Sequence, residues 1–285
     1  MPSDQPGFIE WLGSAAPGSE TLGGKGASLD RLLRLGYRVP PGFCVTTAAF
    51  RAGPGGADAL DAELGAALGR LEAEVAQVTG GPARLAVRSS AMGEDGVVAS
   101  FAGLHETELD LAPADVPAAV RRCWDSLKSA PAVAYRARRG LAEDDAAMAV
   151  VVQALVPAEA SAVVFTMHPV TGRDDEMVIT STRGLGDAMV AGTITPDTIL
   201  VDKATRGTIE FVPGDRSGDE VEGDGEPVTG PVLAPAVLAQ LVELALRVER
   251  DFERPVDIEA AFAGGSWFLL QARPITTAAA TGVRA

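Results

Sequence analysis

Leucines at positions 60, 64, 68 and 71 form a stripe along "ADALDAELGAALGRLEAEVAQV", residues 57 to 78, at the spacing of one helical face. This predicts an amphipathic packing helix. A second helix is predicted in "TLGGKGASLDRLLRLGYRVPPGF", where Leu29, Leu32 and Leu33 share a face and Gly36 supplies the stop before an extended "VPPGF". After the "TGGP" break, "ARLAVRSSA" predicts a short buried strand from Leu85 to Val87 that delivers Arg88, Ser89 and Ser90 to its end. Residues 115 to 140 predict helices interrupted at Pro131. From residue 148 the chain changes texture to β-branched runs: "MAVVVQALV", "SAVVFTMHP", "EMVITST", "DTILVDK" with "GTIEFV", and "VDIEAAF" with "WFLLQARPI". A helix over 232–251 interrupts them. No internal repeat is visible, so the pattern predicts an α/β (α+β) protein with an N-terminal α/β lobe over 1–150, a β-rich lobe with helices over 151–277 and a tail over 278–285.

Composition narrows the setting. A chain of 285 residues, 47% hydrophobic, can bury a substantial core. Its formal net charge of −15 argues against a general nucleic-acid or anionic-membrane binder, which would need clustered Lys and Arg. Any phosphate site must therefore be built locally. The acidic stretch "GDRSGDEVEGDGEP", residues 214 to 227, is expected to be a solvated loop. Two cysteines, Cys44 and Cys123, are too few for a disulfide framework and sit in contexts that suggest core or helix positions in a reducing compartment. The N-terminus lacks the basic start and long apolar run of a signal peptide, and no run approaches a membrane span, so the expected location is cytoplasmic.

Only three of the 24 basic residues are lysines: Lys25, Lys128 and Lys203. Lys25 sits among glycines directly ahead of a helix, where unpaired N–H groups and the helix dipole favour an anion. The stretch does not fit the P-loop pattern, because Gly26 and Ala27 follow the lysine. A phosphate-directed amine and a solvated loop lysine both remain open. In "VDIEAAFAGGSWFLLQARP", strand alternation puts Asp257 and Glu259 on one face, and Gln271 and Arg273 likewise share a face. A two-residue Gly264-Gly265 turn would pair Glu259 with Leu270; a three-residue turn would pair it with Leu269 and Asp257 with Gln271. On that reasoning only an odd turn brings the polar sets together, offering oxygen ligands suited to Mg²⁺ beside a phosphate clamp. The alternative is an edge hairpin with ordinary solvated charges.

Five blocks in order, "GGKGASLDRLLRLGYRVPPGFCVTTAAF", "LAVRSSAMGEDGVVASFAGLHETELDL", "VVVQALVPAEASAVVFTMHPVTG", "RGLGDAMVAGTITPDTILVD" and "VDIEAAF…LLQARPIT", spanning residues 21 to 277, resemble the N-terminal nucleotide-binding domain of the phosphoenolpyruvate synthase, pyruvate phosphate dikinase and rifamycin phosphotransferase family. The resemblance implies an ATP-grasp fold holding ATP and Mg²⁺ between two lobes. It places phosphate contacts on Lys25 and Arg88, further contacts from a phosphate-covering loop on Gly103 and Thr107, and main-chain adenine contacts on Gln153, Ala154 and Leu155. Glu159 and Asp187 are carried over to ribose or nucleotide contact, Glu259 and Gln271 to metal binding, and Arg273 to phosphate. Lys25, Arg88 and Arg273 would thereby carry the catalytic charge stabilisation.

The chain departs from the family pattern at three points. Ser161-Ala162 stands where Ser-Gly is usual, His168 where an acid or amide precedes proline, and Asp187 where glutamate is usual. The family's phosphoryl-carrier histidine lies in a "TSH"-type motif of another domain, and neither His105 nor His168 lies in such a motif. The resemblance thus implies the ATP-handling part of a phosphotransferase whose histidine carrier or acceptor is a separate polypeptide. A self-sufficient ATP-grasp kinase or ligase acting on a small molecule is the alternative, and a non-catalytic nucleotide-binding regulator a further one.

Overall fold

The computed structural model describes residues 7–16, 20–79, 81–92, 107–130, 132–134, 147–215 and 230–275. The acidic stretch expected to form a solvated loop falls outside these residues from 216 on, as do Gly103, His105 and the tail. The chain divides into two compact units, Met1–Leu155 and Val156–Ala285.

The first unit is built on a five-stranded antiparallel sheet in the order β1-β2-β5-β3-β4, with β1 Ile9–Trp11, β2 Gly42–Val45, β3 Leu85–Ala91, β4 Thr107–Leu111 and β5 Met148–Ala154. Its helices are α1 Gly23–Arg34, the short α2 Thr47–Ala52, α3 Ala57–Thr79 and α4 Val116–Ser126. Strand alternation divides the sheet cleanly. Phe43, Val45, Leu85, Val87, Met148, Val150 and Val152 join Leu60, Leu64, Leu68 and Leu71 of α3 and Val116, Val120 and Cys123 of α4 in one core. The opposite face takes α1, whose Leu29 and Leu32 are fully buried. Burial of each such leucine is worth about 1.5–3 kcal/mol.

The strand expected to end at Val87 continues through Ala91. Arg88, Ser89 and Ser90 pair in register with Val151, Val150 and Ala149 of β5, so ladder hydrogen bonding carries polar residues into the strand that composition alone would place beyond it.

The second unit is a six-stranded antiparallel sheet in the order β11-β10-β6-β7-β8-β9: β6 Ala160–Phe165, β7 Glu176–Arg183, β8 Asp197–Asp202, β9 Thr208–Val212, β10 Val256–Ala263 and β11 Ser266–Pro274. A short helix, α5 Asp187–Val190, follows β7, and α6 Pro235–Phe252 precedes β10. Leu241, Val242, Ala245, Val248 and Phe252 make the buried stripe of α6, which packs on β10 and β11. Trp267 anchors that packing by donating its indole N–H to the Val237 carbonyl at 3.2 Å. Register places Ile258, Val164 and Ile179, all buried, on one face of the sheet. Glu259, Val163 and Thr180 lie on the other face and are only half-buried.

Candidate functional site

In the first unit the site begins with Ser90. Its hydroxyl, fully buried, donates to the Leu22 carbonyl at 2.8 Å and accepts the Gly26 N–H at 3.0 Å, fastening the start of α1 to β3. Lys25 therefore stands, half-buried, in the first turn of a helix rather than on a loop. The glycines beside it serve close packing. A Cβ at Gly23, whose φ is +65°, would run into the Ser90 carbonyl and hydroxyl, and one at Gly26 would lie 2.6 Å from Cys44 Sγ. The glycine-flanked stretch around Lys25 is thus a tightly packed corner.

Arg88 lies two residues before Ser90, on the same face of β3, and is half-buried. Its direct cross-strand partner is Thr107, so two residues far apart in sequence share one patch on the α1 side of the sheet. At the end of β5, Gln153 is buried and donates its side-chain amide to the Pro40 carbonyl at 3.0 Å. The N–H groups of Ala154 and Leu155 donate to Pro41 and Arg84 carbonyls at 2.9 and 2.8 Å. Those donors are engaged within the protein.

In the second unit the decisive feature is the β10–β11 hairpin. Its turn is the two-residue one, with Gly264 and Gly265 at φ +55° and +74°, the left-handed backbone that a tight primed turn needs. By simple alternation that turn would keep the two polar sets apart. Pairing runs evenly from Ala263↔Ser266 to Ala260↔Leu269, and then a bulge at Leu270 shifts the register. Glu259 consequently sits opposite Gln271, and Asp257 opposite Arg273. The expectation that only an odd turn converges these residues is corrected: one extra residue within the strand does the same work as one in the turn.

Asp257 and Arg273 form an ion pair, with Arg273 Nε and Nη2 each 2.8 Å from Asp257 Oδ2. Asp257 Oδ1 is buried without a hydrogen-bond partner among the described residues. Burial pushes the Asp257 carboxyl above its ordinary range; Arg273 pulls it back through charge and hydrogen bond, and Glu259 pushes it up again. Asp257 was visible in sequence as the face-mate of Glu259, but the partner offered there was Gln271, whereas the register gives it Arg273.

Of the remaining predicted residues, Glu159 accepts the Gly264 N–H at 2.8 Å and so secures the hairpin turn. Asp187 is exposed in the first turn of α5. The loop before it is tied down by Ser161, whose hydroxyl donates to the Gly184 carbonyl at 2.7 Å. Ala162, the departure beside Ser161, is buried on the α6 face, away from Glu259. His168 explains its own substitution. Its Nδ1 accepts the N–H groups of Val170 and Thr171, both at 3.2 Å, which is the turn-holding role an aspartate or asparagine oxygen takes before proline.

The donor set on the hairpin suits Mg²⁺. It holds hard oxygens from Glu259 and Gln271 side by side, with an unsatisfied carboxylate oxygen of Asp257 on the same face. Among the described residues no group of three or more His, Cys, Asp or Glu side chains forms a self-contained metal cage. An ion that takes few protein ligands and completes its shell from water and phosphate matches that arrangement.

The two units thus define an α/β protein with cationic side chains on one sheet face and carboxylates, an amide and a guanidinium on another. The chain belongs to the family described as pyruvate phosphate dikinase, AMP/ATP-binding domain, which matches residues 57–285. Residues 1–56, with Lys25, precede that match, but whole-chain comparison includes most of them. A probable phosphoenolpyruvate synthase of Methanothermobacter thermautotrophicus is 36% identical over 95% of this chain and 46% of its own length. A rifampicin phosphotransferase of Streptomyces sviceus is 36% identical over 90% of this chain and 34% of its own. For the prodigiosin synthesizing transferase PigC of Serratia marcescens the figures are 36%, 95% and 33%. The chain spans less than half the length of these relatives. No helix among the described residues is long and apolar enough to cross a membrane.

Proposed function

We propose that this chain is the ATP-binding and ATP-cleaving component of a Mg²⁺-dependent phosphotransferase of the ATP-grasp type, working in the cytoplasm. The phosphoryl group passes to a histidine carrier or acceptor on a separate polypeptide. The observation that carries the proposal is the bulged hairpin, which sets Glu259 against Gln271 and Asp257 against Arg273 on one sheet face. A solvated edge hairpin has no need to bury Asp257 and Gln271, each only 7% exposed.

In this mechanism Glu259 and Gln271 would hold Mg²⁺, which would supply charge neutralisation for the phosphates. Arg273, kept in one orientation by Asp257, directs its positive charge to a phosphate oxygen. Lys25 contributes an ammonium reinforced by the positive end of α1, and Arg88 a second guanidinium, with Thr107 and Gly103 covering the phosphates. Because the Ala154 and Leu155 N–H groups are spent, the Gln153–Leu155 segment meets adenine through carbonyl oxygens, which accept from its exocyclic amine. Glu159, one oxygen of which holds Gly264, and Asp187 face the ribose. Most of the rate gain is positioning and electrostatics.

Phosphorus NMR of the chain with ATP and Mg²⁺, alone and with a histidine-domain polypeptide, tests this. AMP and phosphate formed only with the partner is the expected result. ADP, or a phosphorylated small acceptor made by this chain alone, would overturn the separate-carrier proposal in favour of a self-contained kinase.

A further inference from the structure

The ladder between β6 and β10 ends in an exchange of partners. Beyond the last strand pair, Asp257↔Phe165, the next residues are Val256 and Thr166. Thr166 N–H donates to the Val256 carbonyl at 3.0 Å, as a continuing antiparallel ladder requires. The return bond is not made to the Thr166 carbonyl. Val256 N–H donates instead to the Thr166 hydroxyl at 2.8 Å. The carbonyl so released accepts from Lys203 Nζ at 3.0 Å, while the same ammonium meets Glu249 at 2.7 Å.

Thr166 is fully buried, and the Lys203 and Glu249 side chains are only 16% and 18% exposed. The Lys203 backbone N–H also donates to the Asp175 carbonyl at 3.0 Å. Five segments are therefore joined here: the end of β6, the residue before β7, the turn after β8, the last turns of α6 and the first residue of β10. A hydroxyl in the place of a ladder carbonyl is unnecessary for sheet formation, since the carbonyl was available. What the exchange adds is a charge-assisted hydrogen bond on the Thr166 carbonyl, while the Thr166 hydroxyl holds the backbone one residue before Asp257. Asp257 in turn orients Arg273 across the strand pair.

We propose that Thr166 is a positioning residue for the metal- and phosphate-binding end of the β10–β11 hairpin, acting through the Val256 backbone, and that Lys203 with Glu249 holds Thr166 in place. This rests on the assignment of Glu259, Gln271 and Arg273 to Mg²⁺ and phosphate. Thr166→Val keeps the shape of the side chain and removes the acceptor, so Val256 N–H and Lys203 then compete for one carbonyl. Thr166→Ser keeps the acceptor.

The test is equilibrium binding of ATP to the intact chain, with and without Mg²⁺, for wild type, T166V, T166S, K203M and E259Q, alongside thermal unfolding and amide hydrogen exchange at residues 256–258. Outer-shell changes at metal sites cost roughly 10–100-fold in affinity. T166V and K203M are expected to lose the Mg²⁺-dependent gain in ATP affinity by about that factor, with faster exchange at 256–258 and little change in metal-free binding. T166S should restore wild-type behaviour. If E259Q loses the Mg²⁺-dependent gain while T166V keeps it, the positioning role is wrong and the site assignment stands. If T166V lowers metal-free and Mg²⁺-dependent binding equally, in step with its unfolding temperature, the role is structural only and the proposal fails. If E259Q itself leaves the gain intact, the site assignment fails and the positioning proposal falls with it.

Discussion

Replacing Ser90 by alanine removes the one oxygen that ties the opening backbone pair of α1 to β3. The Gly26 N–H and the Leu22 carbonyl both meet that hydroxyl, at 3.0 and 2.8 Å, at a residue with no solvent exposure. Leu22 C=O and Gly26 N–H are also the acceptor and donor on which α1 opens, so the change removes the hydroxyl's two hydrogen bonds, about 0.5–1.5 kcal/mol each and roughly 1–3 kcal/mol together. Methyl-for-hydroxymethyl leaves too small a void for a rescuing water, given how closely Gly23 and Gly26 pack there. The assay is urea unfolding followed by tryptophan fluorescence in a Trp267→Phe background, which leaves only Trp11 and Trp124, both in the first unit. Because the ties hold the first turn of α1, ATP affinity should fall together with stability. A stability change below about 0.5 kcal/mol, the size of an ordinary surface substitution, would refute the reasoning.

Gly26→Ala should destabilise the first unit by about 1–3 kcal/mol despite the better helix propensity of alanine, because its Cβ would meet Cys44 Sγ at 2.6 Å; stabilisation in the same urea assay would contradict the packed-corner account. Burial, with Glu10 and Asp30 adding to it, pushes the Cys44 thiol above its ordinary range, so Cys44 should resist a thiol-directed disulfide reagent at pH 8 until the protein unfolds. Modification of Cys44 in the native state at the rate of a free thiol would contradict this. His168→Asn should preserve protection of the Val170 and Thr171 amides in hydrogen exchange and His168→Ala should lose it; equal protection in both would dismiss the turn role. Deleting Leu270 should leave Glu259 opposite Gln271, since the pairs on either side of the bulge then become consecutive, and Mg²⁺-dependent ATP binding should survive. Loss of that binding in a folded deletion variant would mean the bulge itself shapes the site.

Periodicity made the α3 leucine stripe and the strands from Met148 onward legible, because one buried face imposes a simple repeat on sequence. Asp257 with Glu259 and Gln271 with Arg273 were legible as face-mates for the same reason. Their meeting was not, since it depends on a bulge at Leu270 that no composition signal marks. The run of β3 through Ser90 was hidden because its polar residues are held by pairing with β5, a contact between segments some 60 residues apart. Lys25 could be singled out by its rarity, yet the glycines around it gave a misleading cue: the same residue type serves a hinge and a tight contact, and only the neighbouring Ser90 and Cys44 decide between them. Likewise His168 is a departure from the family pattern in sequence and a turn-holding acceptor in structure.

The proposed function has this chain bind one ATP with Mg²⁺ and use both Arg88 and Glu259 to do so, and calorimetric titration of ATP with Mg²⁺ into the intact chain, its Arg88→Ala variant and its Glu259→Gln variant tests that proposal most directly. One ATP per chain is predicted, with affinity lowered by the change in the first unit and, independently, by the change in the second. Two ATP molecules per chain, or full affinity in either variant, would contradict it.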